Sequence, residues 1–182
     1  MSFAPWETLS RRTLFEIPAR IRVDVEAVKL PDGRVVDDYL QVRMRSFAVV
    51  YATTADGKVI CISQYKHGPR RVSLTLPAGH TEEGEDPAAA ARRELLEETG
   101  FEGEAYRLLG SFAINGNQGC STAHVVTATK CREVKVPAPD DLEYMEIALL
   151  SPAALREALF AGRVAIVSHA AAIGMGLLSA SA

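Results

Sequence analysis

Hydrophobic and polar residues alternate along two stretches near the start of the chain, which is the period of a strand with one buried face. The apolar positions are Ile21, Val23 and Val25 in the first stretch and Leu40, Val42 and Met44 in the second. The turn signal Pro31-Asp32-Gly33 separates them. We therefore predict a pair of strands that forms a small sheet of its own. The alternative is that these strands extend the main sheet.

From Phe47 to Ala52 the pattern becomes continuously apolar, as expected for a strand buried on both faces. Five further segments have the length and composition of strands: 58–65, 72–76, 106–114, 124–129 and 146–150. Ser151-Pro152 predicts the start of a helix that runs to about Ala161, and Ser168 could cap a last helix. The pattern thus predicts a mixed α/β or α+β fold.

Composition narrows the class of protein. The chain has 182 residues, of which 48% are hydrophobic and 24% charged, so we expect one globular domain with at most a small appendage. The net charge of -3 and the pI near 5.8 argue against nucleic-acid and membrane-surface partners. The N-terminus carries no apolar leader segment, so we expect no signal peptide. Three cysteines without a C-x-x-C pair indicate a reducing compartment, and we expect a cytoplasmic protein.

The C-terminal stretch from Val164 to Ala182 has no formal charge and approaches transmembrane length. Ser168, His169 and two glycines interrupt it, and no basic flank follows. We expect a buried or interface-packed helix at this position rather than a membrane span.

The segment from Gly79 to Phe101 carries the clearest chemical signal. Glu94, Glu97 and Glu98 have spacings of three and four, so a helix would bring them close to one face. Like charges at these spacings repel each other. A hard divalent cation on that face would offset the repulsion, because carboxylate oxygens are ligands that Mg²⁺ prefers. Asp86-Pro87 fits the start of such a helix and Gly100 fits its end.

This segment resembles the Nudix box at every defined position. Gly79 is followed by Glu85, then Arg93-Glu94-Leu95, Glu97-Glu98, Gly100 and the apolar Phe101. The plain alternative is an acidic, solvated helix face with ordinary ion pairs to Arg93. The resemblance implies an α/β fold, namely a Nudix-type α/β/α sandwich with a mixed β-sheet over residues 45–182. It also implies a small N-terminal β section over residues 1–44.

Weaker motifs resemble the ADP-ribose pyrophosphatase branch of this family. They are Leu30-Pro31-Asp32-Gly33, Gln64-Tyr65-Lys66-His67-Gly68 and Leu76-Pro77-Ala78-Gly79. The branch implies a metal-dependent pyrophosphohydrolase that cleaves a nucleoside diphosphate derivative, ADP-ribose or a nucleotide sugar, to two phosphomonoesters. It also implies a homodimer built through the N-terminal β section. The alternative function is a nucleotide-sensing Nudix module that does not hydrolyse its ligand.

The resemblance implies a role for each box residue. Glu94 and Glu98 would ligate Mg²⁺ or Mn²⁺, Glu97 would be a ligand or a water-bridged support, and the carbonyl of Ala78 would complete part of the shell. Glu97 and Glu98 would thereby serve catalysis. Four residues would support the box: Gly79, Glu85, Arg93 and Gly100.

Outside the box the resemblance assigns three residues. Glu143, in a later loop, would be the base or an additional ligand, with Asp141 or a box glutamate as the alternative base. The alternative interpretation, that Glu143 is a solvated loop carboxylate without a role in the site, is equally favoured. Lys66 stands where the branch has a diphosphate-binding arginine, so it keeps the charge but loses the two-pronged hydrogen bonding. Arg45 resembles a second phosphate-contacting arginine, although a surface charge is the simpler interpretation.

The chain departs from the branch at two points. Thr75 occupies a position that is usually acidic, and the loop at 115–121 differs from the branch pattern. That loop helps to define the substrate in the family, so the exact substrate stays open between ADP-ribose, another nucleotide sugar and a dinucleotide.

Overall fold

The computed structural model describes residues 4–137 and 144–179. In chain order the strands are β1 (Glu7–Ile17), β2 (Ile21–Lys29), β3 (Val35–Met44), β4 (Phe47–Thr54), β5 (Val59–Lys66), β6 (Arg71–Thr75), β7 (Ala78–His80), β8 (Phe101–Glu102), β9 (Ala105–Asn115), β10 (Gly119–Glu133) and β11 (Met145–Leu150). The helices are α1 (Pro87–Thr99), α2 (Pro152–Phe160) and α3 (Val167–Ser179). The described residues form two compact units. The first comprises 4–46 and 113–122, and the second comprises 47–112, 123–137 and 144–179.

The first unit is built on the antiparallel strands β1, β2 and β3, of which β1 was not expected from the sequence pattern. The hydrogen-bonded strand order runs without a break as β1-β2-β3-β10-β4-β5-β11. The expectation of a separate small sheet is therefore wrong, and the alternative, that these strands extend the main sheet, is correct. The start of β10 pairs in parallel with β3 at Gly119 and Cys120. Residues 113–122 therefore belong to this unit, which the sequence analysis did not predict. The separation of the chain into a 1–44 section and a 45–182 domain with distinct roles stays a prediction.

The two faces of this part of the sheet differ in a way that the sequence pattern did not predict. The row of Ile21, Val23 and Val25, expected to be the buried one, is only half-buried. The alternate row is more deeply buried, with Asp24 at 0% and Glu26 at 6% exposure. Strand alternation identified the two rows correctly, but burial of the polar row depends on its partners across the sheet.

Ion pairs within β2 and with the neighbouring strands explain how these carboxylates can be buried. Arg22 Nε lies 2.9 Å from Asp24 Oδ1, and Thr13 Oγ1 donates a hydrogen bond of 2.8 Å to the same oxygen. The Arg22 hydrogen bond is the main reason that the pKa of Asp24 is lowered. Arg11 pairs with Glu26 at 2.6 Å. Buried charges are tolerated where they are paired and hydrogen-bonded in this way.

The second unit contains a mixed sheet centred on β4. This strand runs parallel to β10 and antiparallel to β5 and β7. On its far side, β5 pairs antiparallel with both β6 and β11. The continuous burial of β4 agrees with its uninterrupted apolar sequence, because both faces of the strand are covered.

Helices cover the two faces of this sheet. On one face, Ala90, Ala91 and Leu95 of α1 pack with alternate residues of β4, such as Val50. On the other face, Leu155 of α2 and Ile173 of α3 share a core with the intervening β4 residues Val49 and Tyr51. The structure therefore confirms the expected α/β/α sandwich with a mixed sheet.

The C-terminal helix α3 begins at Val167, two residues earlier than a cap at Ser168 would place its first residue. Its buried residues include Ala172, Ile173 and Gly176, and a methyl group at Gly176 would lie 2.2 Å from the ring of Tyr51. Close packing of the helix on β4 thus requires glycine at this position. Within the described ranges, every helix is too short or too polar to cross a membrane.

Candidate active site

The Nudix-like box forms the loop and helix that its sequence predicts. Asp86 caps α1 by accepting hydrogen bonds from the amides of Ala88 and Ala89, at 2.9 and 3.1 Å. At the other end, Gly100 adopts a left-handed conformation (φ 73°) and its amide donates to the carbonyl of Leu96. Local capping therefore fixes both ends of the helix that carries the glutamates.

Gly79 brings the backbone of β7 against the carboxylate of Glu94. A methyl group added at Gly79 would lie 2.0 Å from the carboxyl carbon of Glu94, so no larger residue could occupy this position unless Glu94 moved. Burial raises the pKa of Glu94, and its hydrogen bond with Arg93 opposes that shift. The absence of a side chain at Gly79 thus creates the space in which Glu94 lies.

Glu98 reaches the neighbouring residue of the same strand. The amide of Ala78 donates a hydrogen bond of 2.9 Å to Glu98 Oε2. Glu94 and Glu98, one helical turn apart, therefore both adjoin the dipeptide Ala78-Gly79. Glu97 lies on the same helix, but half of its side chain is exposed to solvent.

Arg93 links the acidic loop to the helix. Its guanidinium donates to both carboxylate oxygens of Glu85, at 3.2 and 3.1 Å, and to the carbonyl of His80 at 2.9 Å. It also contacts Glu94 at 2.6 Å and Glu97 at 3.4 Å. One cation thus offsets the mutual repulsion of three carboxylates.

The ion pair between Arg93 and Glu85 also fixes the conformation of the loop before the helix. Glu85 Oε2 accepts a hydrogen bond of 2.8 Å from the amide of Glu82. The pKa of Glu85 is lowered, chiefly by the Arg93 hydrogen bonds, whereas the pKa of Arg93 is raised, chiefly by Glu85. A two-pronged charged pair of this kind fixes both distance and orientation.

The donor atoms at this site fit a hard divalent cation. Glu94 and Glu98 supply carboxylate oxygens to one small region beside Ala78-Gly79, and Mg²⁺ prefers oxygen ligands. In the part of the chain that the structure describes, no three acidic, histidine or cysteine side chains are close enough together to hold an ion among them. The oxygen donors of Glu94 and Glu98 nevertheless fit the ion, because Mg²⁺ is commonly held by one or two carboxylates together with water and substrate oxygens.

The remaining predicted site residues lie in different parts of the chain. Lys66 is the last residue of β5, in the second unit. Arg45 belongs to the first unit, where its carbonyl accepts a hydrogen bond of 2.6 Å from the Ser121 hydroxyl. Glu143 and Asp141 lie outside the described residues.

His169 is a residue whose role the sequence did not reveal. It is buried on α3, and its Nδ1 accepts a hydrogen bond of 3.1 Å from the amide of Leu76, two residues before Ala78. The contact joins residues 93 positions apart, so no local pattern could have indicated it. A buried neutral histidine thereby attaches α3 to the segment that leads into β7.

This histidine should make folding stability depend on pH. Burial, with a smaller contribution from the charge of Lys66, lowers the pKa of His169 from 6.5 to about 4. Between these values the unfolded chain binds more protons, so stability should fall as the pH decreases from 6.5 to 4, by roughly 3 kcal/mol from this group.

Urea unfolding at a series of pH values would measure this dependence. The variant His169→Gln keeps an acceptor for the Leu76 amide but has no titratable ring, so its stability should fall much less over the same range. Equal pH dependence of the two proteins would contradict the assignment.

Comparison with known domains identifies the class of protein. The family described as "NUDIX domain" matches residues 42–168, which include the box, the mixed sheet and the start of α3. The chain belongs to the Nudix family. Nudix hydrolases generally use divalent metal ions, in agreement with the oxygen donors beside Ala78-Gly79.

Individual proteins show how far the similarity extends. The chain is 30% identical over 147 residues to an ADP-ribose pyrophosphatase of Bacillus subtilis, covering 79% of this chain and 78% of that protein. It is 34% identical over 108 residues to a methanol dehydrogenase activator of Bacillus methanolicus, covering 59% and 58% of the two chains. The match therefore spans little more than half of this second relative.

A solved structure, described as the crystal structure of ADP compounds hydrolase, superimposes with a TM-score of 0.80. It covers 96% of this chain and 94% of its own, at 20% sequence identity. At that identity the likeness establishes the fold alone. It agrees with the α/β/α sandwich described above.

Proposed function

We propose that this protein is a metal-dependent pyrophosphohydrolase that cleaves the diphosphate link of a nucleoside diphosphate derivative, ADP-ribose or a nucleotide sugar, to two phosphomonoesters. Membership of the Nudix family and similarity to an ADP-ribose pyrophosphatase over most of both chains support this function. The observation that carries it is the placement of Glu94 and Glu98 beside Ala78-Gly79. We also expect a cytoplasmic location.

The residues that would hold Mg²⁺, or Mn²⁺, are Glu94, Glu97, Glu98 and the carbonyl of Ala78. When bound, the ion would neutralise phosphate charge and lower the pKa of a coordinated water. The Ala78 amide already orients one oxygen of Glu98, and the contacts of Glu94 with Gly79 and Arg93 hold its carboxylate in place.

Other residues would orient the substrate and move the proton. Lys66 and Arg45 would bind the diphosphate, since a diphosphate needs cations to balance its charge. Glu143 would accept the proton of the attacking water, a role for which a carboxylate near the reacting groups is suited. Arg93 and Glu85 would act indirectly, because their ion pair holds the acidic loop against α1.

A panel of substrates tests this function. Purified protein would be incubated with Mg²⁺ and, separately, with ADP-ribose, ADP-glucose, a diadenosine polyphosphate or inorganic pyrophosphate, and the products would be resolved by chromatography. We expect AMP and a sugar phosphate from the first two substrates, and no turnover when EDTA is present.

The panel also separates the proposal from its alternative. A nucleotide-sensing module would bind ADP-ribose in calorimetry without releasing AMP at any metal concentration. Release of products only from a dinucleotide would retain the reaction class but exclude a nucleotide sugar as substrate.

We further propose that the protein is a homodimer in which the N-terminal β section contacts the partner subunit. One face of the first unit's sheet carries neighbouring apolar residues whose large side chains are about half exposed, namely Phe15, Ile17, Leu40 and Met44. A contiguous exposed apolar surface is typical of an interaction site. In the dimer this section would also help to form the partner's substrate pocket.

Light scattering at micromolar concentration tests the dimer. We expect about twice the chain mass of 19.7 kDa for the unmodified protein, and a monomer for Phe15→Asp, because a charge would be buried at the interface. Phe160→Asp, at an exposed phenylalanine of α2, is the matched control and should remain dimeric. A monomeric unmodified protein would exclude the proposal.

A further inference from the structure

A serine and a histidine on neighbouring strands of the second unit form a polar pair outside the Nudix box. Ser111 of β9 and His124 of β10 are joined by a side-chain hydrogen bond of 2.8 Å between Oγ and Nδ1. Ser111 is exposed to solvent, and His124 is partly buried. The sequence gave no indication of this pair, because the two residues are 13 positions apart.

His124 lies on the face of the sheet that α1 covers. Side chains two residues apart along a strand share a face. Val126 and Ala128, two and four residues after His124, pack in one cluster with Ala90 and Leu95 of α1. The histidine is therefore on the same side of the sheet as the helix that carries the glutamates.

The pairing of the strands aligns His124 with the metal-binding part of the candidate site. His124 pairs with Ala48 of β4, and Ala48 pairs in turn with Gly79 of β7. Neighbouring strands are about 4.8 Å apart, so the Cα atoms of His124 and Gly79 are about 10 Å apart. The carboxylate of Glu94 lies against Gly79 on this face. Between the two residues, β4 contributes only the methyl group of Ala48.

The second nitrogen of the His124 ring can bind a ligand. Nδ1 is occupied by Ser111, whereas Nε2 makes no hydrogen bond to any residue that the structure describes. Burial lowers the pKa of His124, so the ring is neutral at pH 7. Nε2 is then a donor or an acceptor, according to the tautomer. A hydroxyl group suits either tautomer, because it can both donate and accept.

We propose that His124 binds a sugar hydroxyl of the substrate through Nε2, and that Ser111 positions the imidazole ring; this inference rests on the proposed function. Both sugars of a nucleoside diphosphate sugar are joined directly to the diphosphate. An ion at Glu94 and a hydroxyl-binding nitrogen on the same row of the sheet would therefore contact adjacent groups of one substrate. The nucleoside ribose and the second sugar both carry such hydroxyls.

Two substitutions of His124 separate binding from a structural role. Asparagine places its amide near the position of Nδ1, so His124→Asn keeps a partner for Ser111 but has no polar atom at the position of Nε2. Glutamine places its amide near the position of Nε2, so His124→Gln keeps the group that would contact the substrate. A purely structural pair would tolerate asparagine better, whereas a substrate contact would tolerate glutamine better.

Titration calorimetry with the two reaction products measures the contact without any turnover. AMP and ribose 5-phosphate would each be titrated into the full-length protein in the presence of Mg²⁺. For the product that carries the bound hydroxyl, His124→Ala and His124→Asn should weaken binding about tenfold, and His124→Gln at most about threefold. The other product should bind with unchanged affinity, so the experiment also identifies which sugar is bound.

The role of Ser111 is tested through its dependence on His124. Ser111→Ala should weaken binding of the same product about threefold, because the ring loses its orienting partner. In the His124→Ala background, the additional Ser111→Ala substitution should have no effect, since it acts through a ring that is absent. Arg132→Gln, at an exposed arginine farther along β10, is the control and should leave both affinities unchanged.

Steady-state kinetics with ADP-ribose provides a second measurement. His124→Ala should raise KM about tenfold and change kcat by less than about threefold, as expected when a contact made equally in the ground state and the transition state is removed. Unchanged affinity for both products in His124→Ala would overturn the inference. Normal binding by His124→Asn together with weakened binding by His124→Gln would show that the pair is structural.

These results are distinguishable from failure of the proposed function. A protein that hydrolyses no diphosphate substrate, but binds AMP or ribose 5-phosphate in a manner that depends on His124, would contradict the proposed hydrolysis and retain the contact. A protein that hydrolyses ADP-ribose equally well with and without His124 would retain the proposed function and exclude the contact.

Discussion

Replacing Glu98 with glutamine is expected to lower kcat by about 10³-fold, because loss of one charged ligand removes several kcal/mol of transition-state stabilisation from a metal-assisted hydrolysis. The fold should be preserved. Glutamine retains an oxygen that can accept the hydrogen bond from the Ala78 amide, which Glu98 accepts at 2.9 Å. The measurement is steady-state kinetics over a range of Mg²⁺ concentrations, together with thermal unfolding.

The matched control is Glu83→Gln in the loop before α1. Glu83 is exposed and lies in the same acidic stretch. The Glu83→Gln variant therefore loses the same charge as Glu98→Gln, but it keeps every proposed metal ligand. We expect its kcat to stay within about twofold of the original, as for an ordinary surface substitution. Near-normal turnover of Glu98→Gln at saturating Mg²⁺ would show that the metal assignment is wrong.

Replacing Gly100 with alanine should produce the largest loss of stability, about 3 kcal/mol or more. Two effects add at this position. The backbone has φ 73°, where a side chain costs roughly 1–2 kcal/mol. An added methyl group would also lie 2.0 Å from the backbone carbonyl oxygen of Lys135, which cannot move without disturbing the segment after β10.

Gly57→Ala separates these two contributions. Gly57 has a similar φ of 78°, but an added methyl group there meets nothing within 4 Å. We therefore expect a loss of only about 1–2 kcal/mol, from the backbone conformation alone. Urea unfolding of both variants gives the comparison, and equal losses would show that the approach of Lys135 does not restrict Gly100.

The Nudix box shows what local sequence determines well. Asp86, Pro87 and Gly100 define the ends of α1 through contacts with residues of the same helix, and the structure gives the bounds Pro87–Thr99. The spacing of Glu94 and Glu98 also places them near one face, whatever the helix packs against. These features depend on interactions over a few residues, so they could be predicted without knowledge of the tertiary fold.

Resemblance to a family supplied more than periodicity could. Alternation alone predicted a mixed α/β or α+β fold, and the box made the α/β/α sandwich specific. The roles of Glu97, Glu143, Lys66 and Arg45 still depend on that resemblance. Their test is kinetic, because a ligand or a base is defined by what it does to the substrate.

The sequence by itself determined most of the longer strands, although not β1, together with the box helix, its caps and the presence of an acidic face. Only the tertiary structure decided which row of β2 is buried, since β1 and β3 supply Thr13 and Arg43 to Asp24 and Arg11 to Glu26, in addition to the local pair of Asp24 with Arg22. It also decided the contact of His169 with Leu76, across 93 positions. The physical reason is the same in both cases. Burial of a charge or an imidazole is favourable only when a partner is present, and distant parts of the chain supply that partner.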